Sequence, residues 1–151
     1  MPDRIEKRIL LRAPRERVWR AVSDKTEYGE WFRVKFAPGK FTPGEHVIGQ
    51  ILEPGYEHLT FELWVVDVIP ETTFSFRWHP YGIDPNYDYS SEPTTLVTFT
   101  LEDADGGTQL TIVESGFDQI PLHRREEAFR MNTGGWEEQT KRIDRYVTAN
   151  R

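Results

Sequence analysis

The chain has no cysteine, only two methionines and no excess of basic residues. It also has no apolar run near the ~20 residues of a membrane-spanning helix. Each absence removes a class of protein. Without cysteine there are no disulfides and no thiolate metal centres, and the redox compartment is left open. With 19 Lys and Arg against 25 Asp and Glu, the net charge of −6 argues against a nucleic-acid surface or an anionic membrane as partner. The opening Met1-Pro2-Asp3-Arg4 lacks the apolar core of a signal peptide, so a cytoplasmic protein is expected. There is no GxSxG, P-loop or dinucleotide fingerprint. His46, His58, His79 and His123 show no zinc-ligand spacing. Asp84-x-Asn86-x-Asp88 begins like a calcium loop, but Tyr89 stands where glycine is needed and Thr95 where the bidentate Glu should be. No metal and no cofactor are expected.

What the chain does have is aromatic residues: five Trp, six Tyr and nine Phe in 151 residues. These bury large areas and also line pockets for flat organic ligands. The length suits one domain over 1–151, with no internal repeat, low-complexity segment or linker.

Ile5, Lys7, Ile9 and Leu11 share one side of an extended first strand, Lys7 being the exception on an apolar face. Ala13-Pro14 starts a short helix whose inner face is Val18, Ala21 and Val22. Asp24 followed by Glu27 resembles a capping box for a second short helix carrying Tyr28, Trp31 and Phe32. Pro38-Gly39, Pro43-Gly44 and Pro54-Gly55 mark turns between short strands. His58 to Ile69 reads as a longer strand that is largely apolar on both faces, and Phe74, Phe76 and Trp78 as the buried side of the next. A polar loop follows over 80–93. Leu96–Leu101 and Thr108–Ser115 then form a hairpin around Asp105-Gly106-Gly107.

From Ile120 to Arg151 the pattern becomes helical. Leu122, Phe129, Trp136 and Ile143 recur every seven residues, with Val147 one turn beyond. Gly134 and Gly135 interrupt this helix, at a cost of roughly 2 kcal/mol relative to alanine. They mark either a kink or close packing, or else space left beside the helix. Consecutive strands without βαβ alternation give an α+β class: a curved antiparallel sheet closed over a long C-terminal helix, with two short helices after the first strand.

Pro14-x-x-x-Val18-Trp19-x-Ala21-Val22-Ser23-Asp24, followed by Trp31, resembles the entry of bacterial proteins related to the activator of heat-shock protein 90 ATPase. The resemblance continues in Phe74-Ser75-Phe76-Arg77-Trp78, Gly107-Thr108-x-Leu110-Thr111-Ile112, Ser115-Gly116-Phe117 and Asn132-x-Gly134-Gly135-Trp136. It implies the START-like, helix-grip (SRPBCC) fold, with a cavity between sheet and helix. Relatives of that fold bind lipids, hormones or polyketides, and some cyclise or aromatise polyketides. The eukaryotic co-chaperone carries this domain behind a separate chaperone-contacting one. No such segment is seen in this sequence, so chaperone binding is not expected.

Glu114 shares a strand face with Leu110 and Ile112 and should therefore point inward. A bare buried carboxylate is costly, so it must be paired, protonated or wetted by a cavity. It could contact a ligand, act as an acid/base with His79, or form a structural pair, with Arg130 the first candidate partner. Trp31, Trp64, Phe76, Trp78, Phe129, Arg130 and Trp136 complete the candidate ligand site with Glu114. The leading reading is binding of a small apolar or aromatic molecule in the cavity. The alternatives are a cyclase, aromatase or hydrolase using Glu114, and a protein-interaction module; a homodimer is left open.

Overall fold

The computed structural model describes residues 3–150. Met1 and Pro2 of the N-terminal segment, and Arg151 at the end of the expected final helix, lie outside the described residues. Strand β1 (Arg4–Leu11) is followed by helices α1 (Arg15–Ser23) and α2 (Lys25–Phe32). Six more strands follow: β2 (Val34–Lys35), β3 (His46–Ile51), β4 (Thr60–Ile69), β5 (Thr73–Trp78), β6 (Thr95–Ala104) and β7 (Gly107–Ser115). A short 3-10 turn over Phe117–Gln119 then leads into helix α3 (Leu122–Ala149).

The strands form one antiparallel sheet in the order β1-β7-β6-β5-β4-β3-β2. Alternation puts Phe61, Leu63, Val65, Phe74, Phe76, Val97, Phe99, Leu110 and Ile112 on the buried, concave face. A register shift between Val65 and Val68, where β4 meets β5, adds the local bend of a bulge and helps the sheet curve. The face of β4 carrying Trp64 and Val66 is the outer one; Val66 is exposed, and Trp64 is half-covered by stacking on His46.

The first helix is entered through Pro14, and α2 through Asp24, whose side chain accepts from the Glu27 N–H at 3.1 Å. Only that half of the expected capping box forms. The Glu27 carboxylate turns instead to Arg17, Arg20 and Tyr146. Lys7, the exception on the inner face of β1, reaches Glu137 of α3 at 2.8 Å.

In α3 the buried positions are Ala128, Trp136, Thr140, Ile143 and Val147, whereas Leu122 is 80% exposed. The heptad reading places Leu122 wrongly because a straight helix drifts about 20° per heptad against a repeat of seven. Two heptads before Trp136, the stripe has rotated off the core. The helix also runs unbroken through Gly134 and Gly135. A Cβ built at either glycine meets nothing within 4 Å, so the pair reflects open space and not close packing.

Candidate functional site

The register of β5, β6 and β7 pairs Trp78 with Thr95 and Val97 with Glu114. Thr95 lies two residues from Val97, so Trp78, Thr95 and Glu114 come together on the concave face. Asn132 and Trp136, one turn apart on α3, descend onto the same point. The result is a fully buried carboxylate held by neutral donors. Its Oε1 accepts from Trp136 Nε1 at 2.8 Å and Asn132 Nδ2 at 2.9 Å. Its Oε2 accepts from Thr95 Oγ1 at 2.5 Å, Trp78 Nε1 at 2.7 Å and Asn132 Nδ2 at 3.1 Å.

The inward aim of Glu114 agrees with the strand alternation. Its expected pairing with Arg130 does not occur: Arg130 is exposed, and no cation is among the carboxylate's partners in the described residues. Arg130 follows Phe129 by a single residue, about 100° around the helix, and the buried arc lies towards Ala128 and Asn132 instead. Glu114 is also sealed from the neighbouring space by its own donors, so it has no open face for a substrate proton.

That neighbouring space is an open groove beside α3, not a closed interior cavity. Three adjoining recesses of about 310, 230 and 80 Å³ all share Phe32 and Asn132. Trp78, Trp136 and Gly135 border the smallest, at the foot of the groove. Phe61, Tyr81 and Ile83 wall the two larger ones. Gly135 supplies the missing side chain that keeps the helix wall open.

Of the six aromatics expected at the ligand site, Trp78 and Trp136 border the groove. Trp31 is core, its indole N–H donating to Ala21 O at 2.9 Å. Phe76 is fully buried against Phe74, Trp78 and Phe99. Phe129 packs edge-on against Phe117 near the start of α3. Trp64 lies on the outer face between His46 and His79. Ring size does not distinguish core from pocket wall, and two-residue alternation cannot orient a strand that is apolar on both sides. Asn132, absent from the expected site although it sits in the motif before the glycines, proves central. Its signal was its position four residues before Trp136, on the buried side of the helix.

The 80–93 loop is strapped to α3. Arg124 donates to Pro80 O at 2.8 Å and to Glu92 Oε1 at 3.0 Å, and lies over the Tyr89 ring at 4.8 Å. Glu92 also accepts from the Tyr87 hydroxyl. Between loop and helix lies a further recess of about 410 Å³ lined by Tyr81, Tyr87, Tyr89 and His123 among others. Asp84 and Asp88, the apparent calcium ligands, close turns by accepting from Asn86 N at 2.9 Å and Ser90 N at 3.0 Å. Burial of His79 lowers its pKa, against the opposing pull of Glu62 and Glu92, and its Nδ1 is buried without a hydrogen-bond partner among the described residues.

A curved antiparallel sheet gripping a long C-terminal helix, with a groove where they part, defines the helix-grip class. The family model described as "Activator of Hsp90 ATPase homolog 1-like protein" matches residues 12–148, and the chain belongs to that family. No curated protein matches it by sequence. Among solved structures, protein MLL2253 from Mesorhizobium loti is 22% identical with a TM-score of 0.76, over 98% of both chains. DynU16, described as a putative protein in the dynemicin biosynthetic locus, is 22% identical with a TM-score of 0.75. This chain aligns over 100% of its own length but spans only 49% of DynU16. The Aha1 dimer from Colwellia psychrerythraea is 16% identical with a TM-score of 0.69, over 95% of both chains. These likenesses show the fold. No helix among the described residues is long and apolar enough to cross a membrane.

Proposed function

We propose that the chain binds a small, flat, largely apolar molecule in the groove between α3 and the α2–β3–β4 end of the sheet. The observation that carries this reading is the open helix wall at Gly135, facing the aromatic walls of Phe32, Phe61 and Tyr81 across about 310 Å³. That volume is in the range of pockets for drug-sized ligands. A catalytic role for Glu114 finds no support, since every contact of its oxygens is a donor within the protein.

The test is a fluorescence titration, because Trp78 and Trp136 border the groove. A panel of flavonoids, polyketides and fatty acids should include compounds that change the emission saturably. Gly135→Leu should abolish the response while leaving the thermal midpoint unchanged or raised, because the new Cβ meets nothing within 4 Å, the rest of the side chain extends into the groove, and leucine favours the helix over glycine. Undiminished binding by that variant would place the ligand elsewhere.

A further inference from the structure

The groove's wall on α3 carries two amides whose oxygens accept no hydrogen bond among the described residues. The orientation of Asn132 is fixed by chemistry: a carboxylate can only accept, so the Asn132 NH2 must face Glu114. Its Oδ1 is therefore turned away from Glu114. It has no hydrogen-bond partner among the described residues, and Asn132 borders all three recesses of the groove. Two turns on, Gln139 borders two of them, and its Oε1 is buried with no hydrogen-bond partner among the described residues. Seven residues of helix separate these amides by about 10 Å along the axis. Between them lies Gly135, with no side chain to lift a flat molecule off the helix.

From this arrangement we infer that the groove selects planar aromatic ligands carrying hydrogen-bond donors, hydroxyl or N–H, towards both ends, read by Asn132 Oδ1 and Gln139 Oε1. The inference rests on the groove being the binding site, as proposed above. The Gln139 oxygen is a buried acceptor without a partner among the described residues, which is costly, and a ligand donor that displaces its neighbours relieves that cost where an apolar ligand cannot. The Asn132 oxygen is not sealed in this way; an apolar ligand would strip water from it, and a ligand donor would replace that water. Glu114 acts here as a positioning residue. By taking one Asn132 N–H, shared between its two oxygens, and the Trp136 N–H, it holds the Asn132 carbonyl outward, and a donor already engaged by an anion makes its own carbonyl a better acceptor.

The experiment compares two probes on the full chain by calorimetry and tryptophan fluorescence. Kaempferol is a planar three-ring molecule with hydroxyls at both ends. Flavone has the same ring skeleton and no hydroxyls. A purely apolar groove would bind flavone at least as tightly, because flavone is the more apolar of the two. The inference expects kaempferol to bind about tenfold tighter. It expects Gln139→Leu and Asn132→Ala each to weaken kaempferol while leaving flavone unchanged. Thermal melts of both variants check folding, and the probe comparison on the unmodified chain stands whether or not they fold. Equal binding of the two probes, or tighter binding of flavone, overturns this inference and leaves the groove as the site. Discrimination that survives in both folded variants overturns the assignment to these two amides. If neither probe nor any member of the wider panel binds, the groove reading falls and this inference falls with it.

Discussion

Two carboxylates tie this fold together, and they do so with opposite chemistry. Glu27 sits at the junction of α1, α2 and the end of α3, paired with Arg17 and Arg20 at 2.8 Å each and accepting from Tyr146 at 2.9 Å. Arg17 in turn donates to Asn150 O at 2.5 Å and lies over the Tyr146 ring. Glu114 ties β5, β6 and β7 to the middle of α3 without any cation. Glu27 keeps 17% of its side chain exposed, whereas Glu114 is at 0%. An ion pair at the margin needs only to close a seam. A carboxylate that gathers neutral donors in the interior orients each of them, and one of these, Asn132, has a second polar group to present to the groove.

The comparison can be broken most forcefully at Trp136, which both fills the core and donates to Glu114. Trp136→Ala should destabilise by about 3–5 kcal/mol, read from the urea midpoint. A midpoint unchanged by this substitution would mean that the helix is not held through this ring. Next comes Glu114→Gln, which preserves shape but turns an amide N–H towards groups that are all donors or donor-occupied. A loss of about 1.5–3 kcal/mol is expected, and it should be the same at low and high salt because no cation is involved. Glu27→Gln should cost about 1–3 kcal/mol, and the share contributed by the exposed Arg20 should shrink in ~1 M salt, while the pair with buried Arg17 is screened less. If the two Gln variants responded alike to salt, the contrast between the sites would be false.

The smallest effect concerns Glu92, a carboxylate between these extremes. Burial pushes its pKa up, but the hydrogen bonds from Tyr87 and Arg124 and the Arg124 charge outweigh it and hold the group below its usual 4.5. Its folded-state pKa is thus depressed. Its contribution is complete above about pH 4.5 and is lost as the pH falls through the lower folded value. Glu92→Gln should flatten the acid limb of the stability profile below that pH and leave the neutral range nearly parallel to the parent. An acid limb of unaltered steepness would show that the clamp between loop and helix adds nothing.

Much of the architecture was legible because alternation and periodicity are direct records of burial. The strands, the inward Glu114, the buried Trp136 and the order of elements all follow from spacing. The site was less legible. Arg130 looked like a partner for Glu114 because opposite charge is the commonest remedy for a buried carboxylate. The actual remedy, two indoles, a threonine and an asparagine, consists of residues that each have an ordinary reading elsewhere. Asn132 in mid-helix reads as surface until the sheet is closed over it. Gln139 reads the same way, three residues beyond a tryptophan whose orientation only the closed fold reveals. Trp31 and Phe76 were placed at a pocket wall because composition reports how many rings there are and not which of them touch empty space.

The glycine pair in α3 also has a meaning for how this protein could change. Both residues burden the helix by about 1 kcal/mol each relative to alanine, and neither is required by backbone conformation or by a close neighbour. Only Gly135 borders the groove. Alanine at Gly134 and alanine at Gly135 are therefore matched in helix gain and differ in what they occlude. A lineage or a screen selecting for heat resistance alone would accept both with equal ease. One selecting for an open groove would accept only the first. Position 135 is thus where pressure for robustness and pressure for ligand space pull in opposite directions.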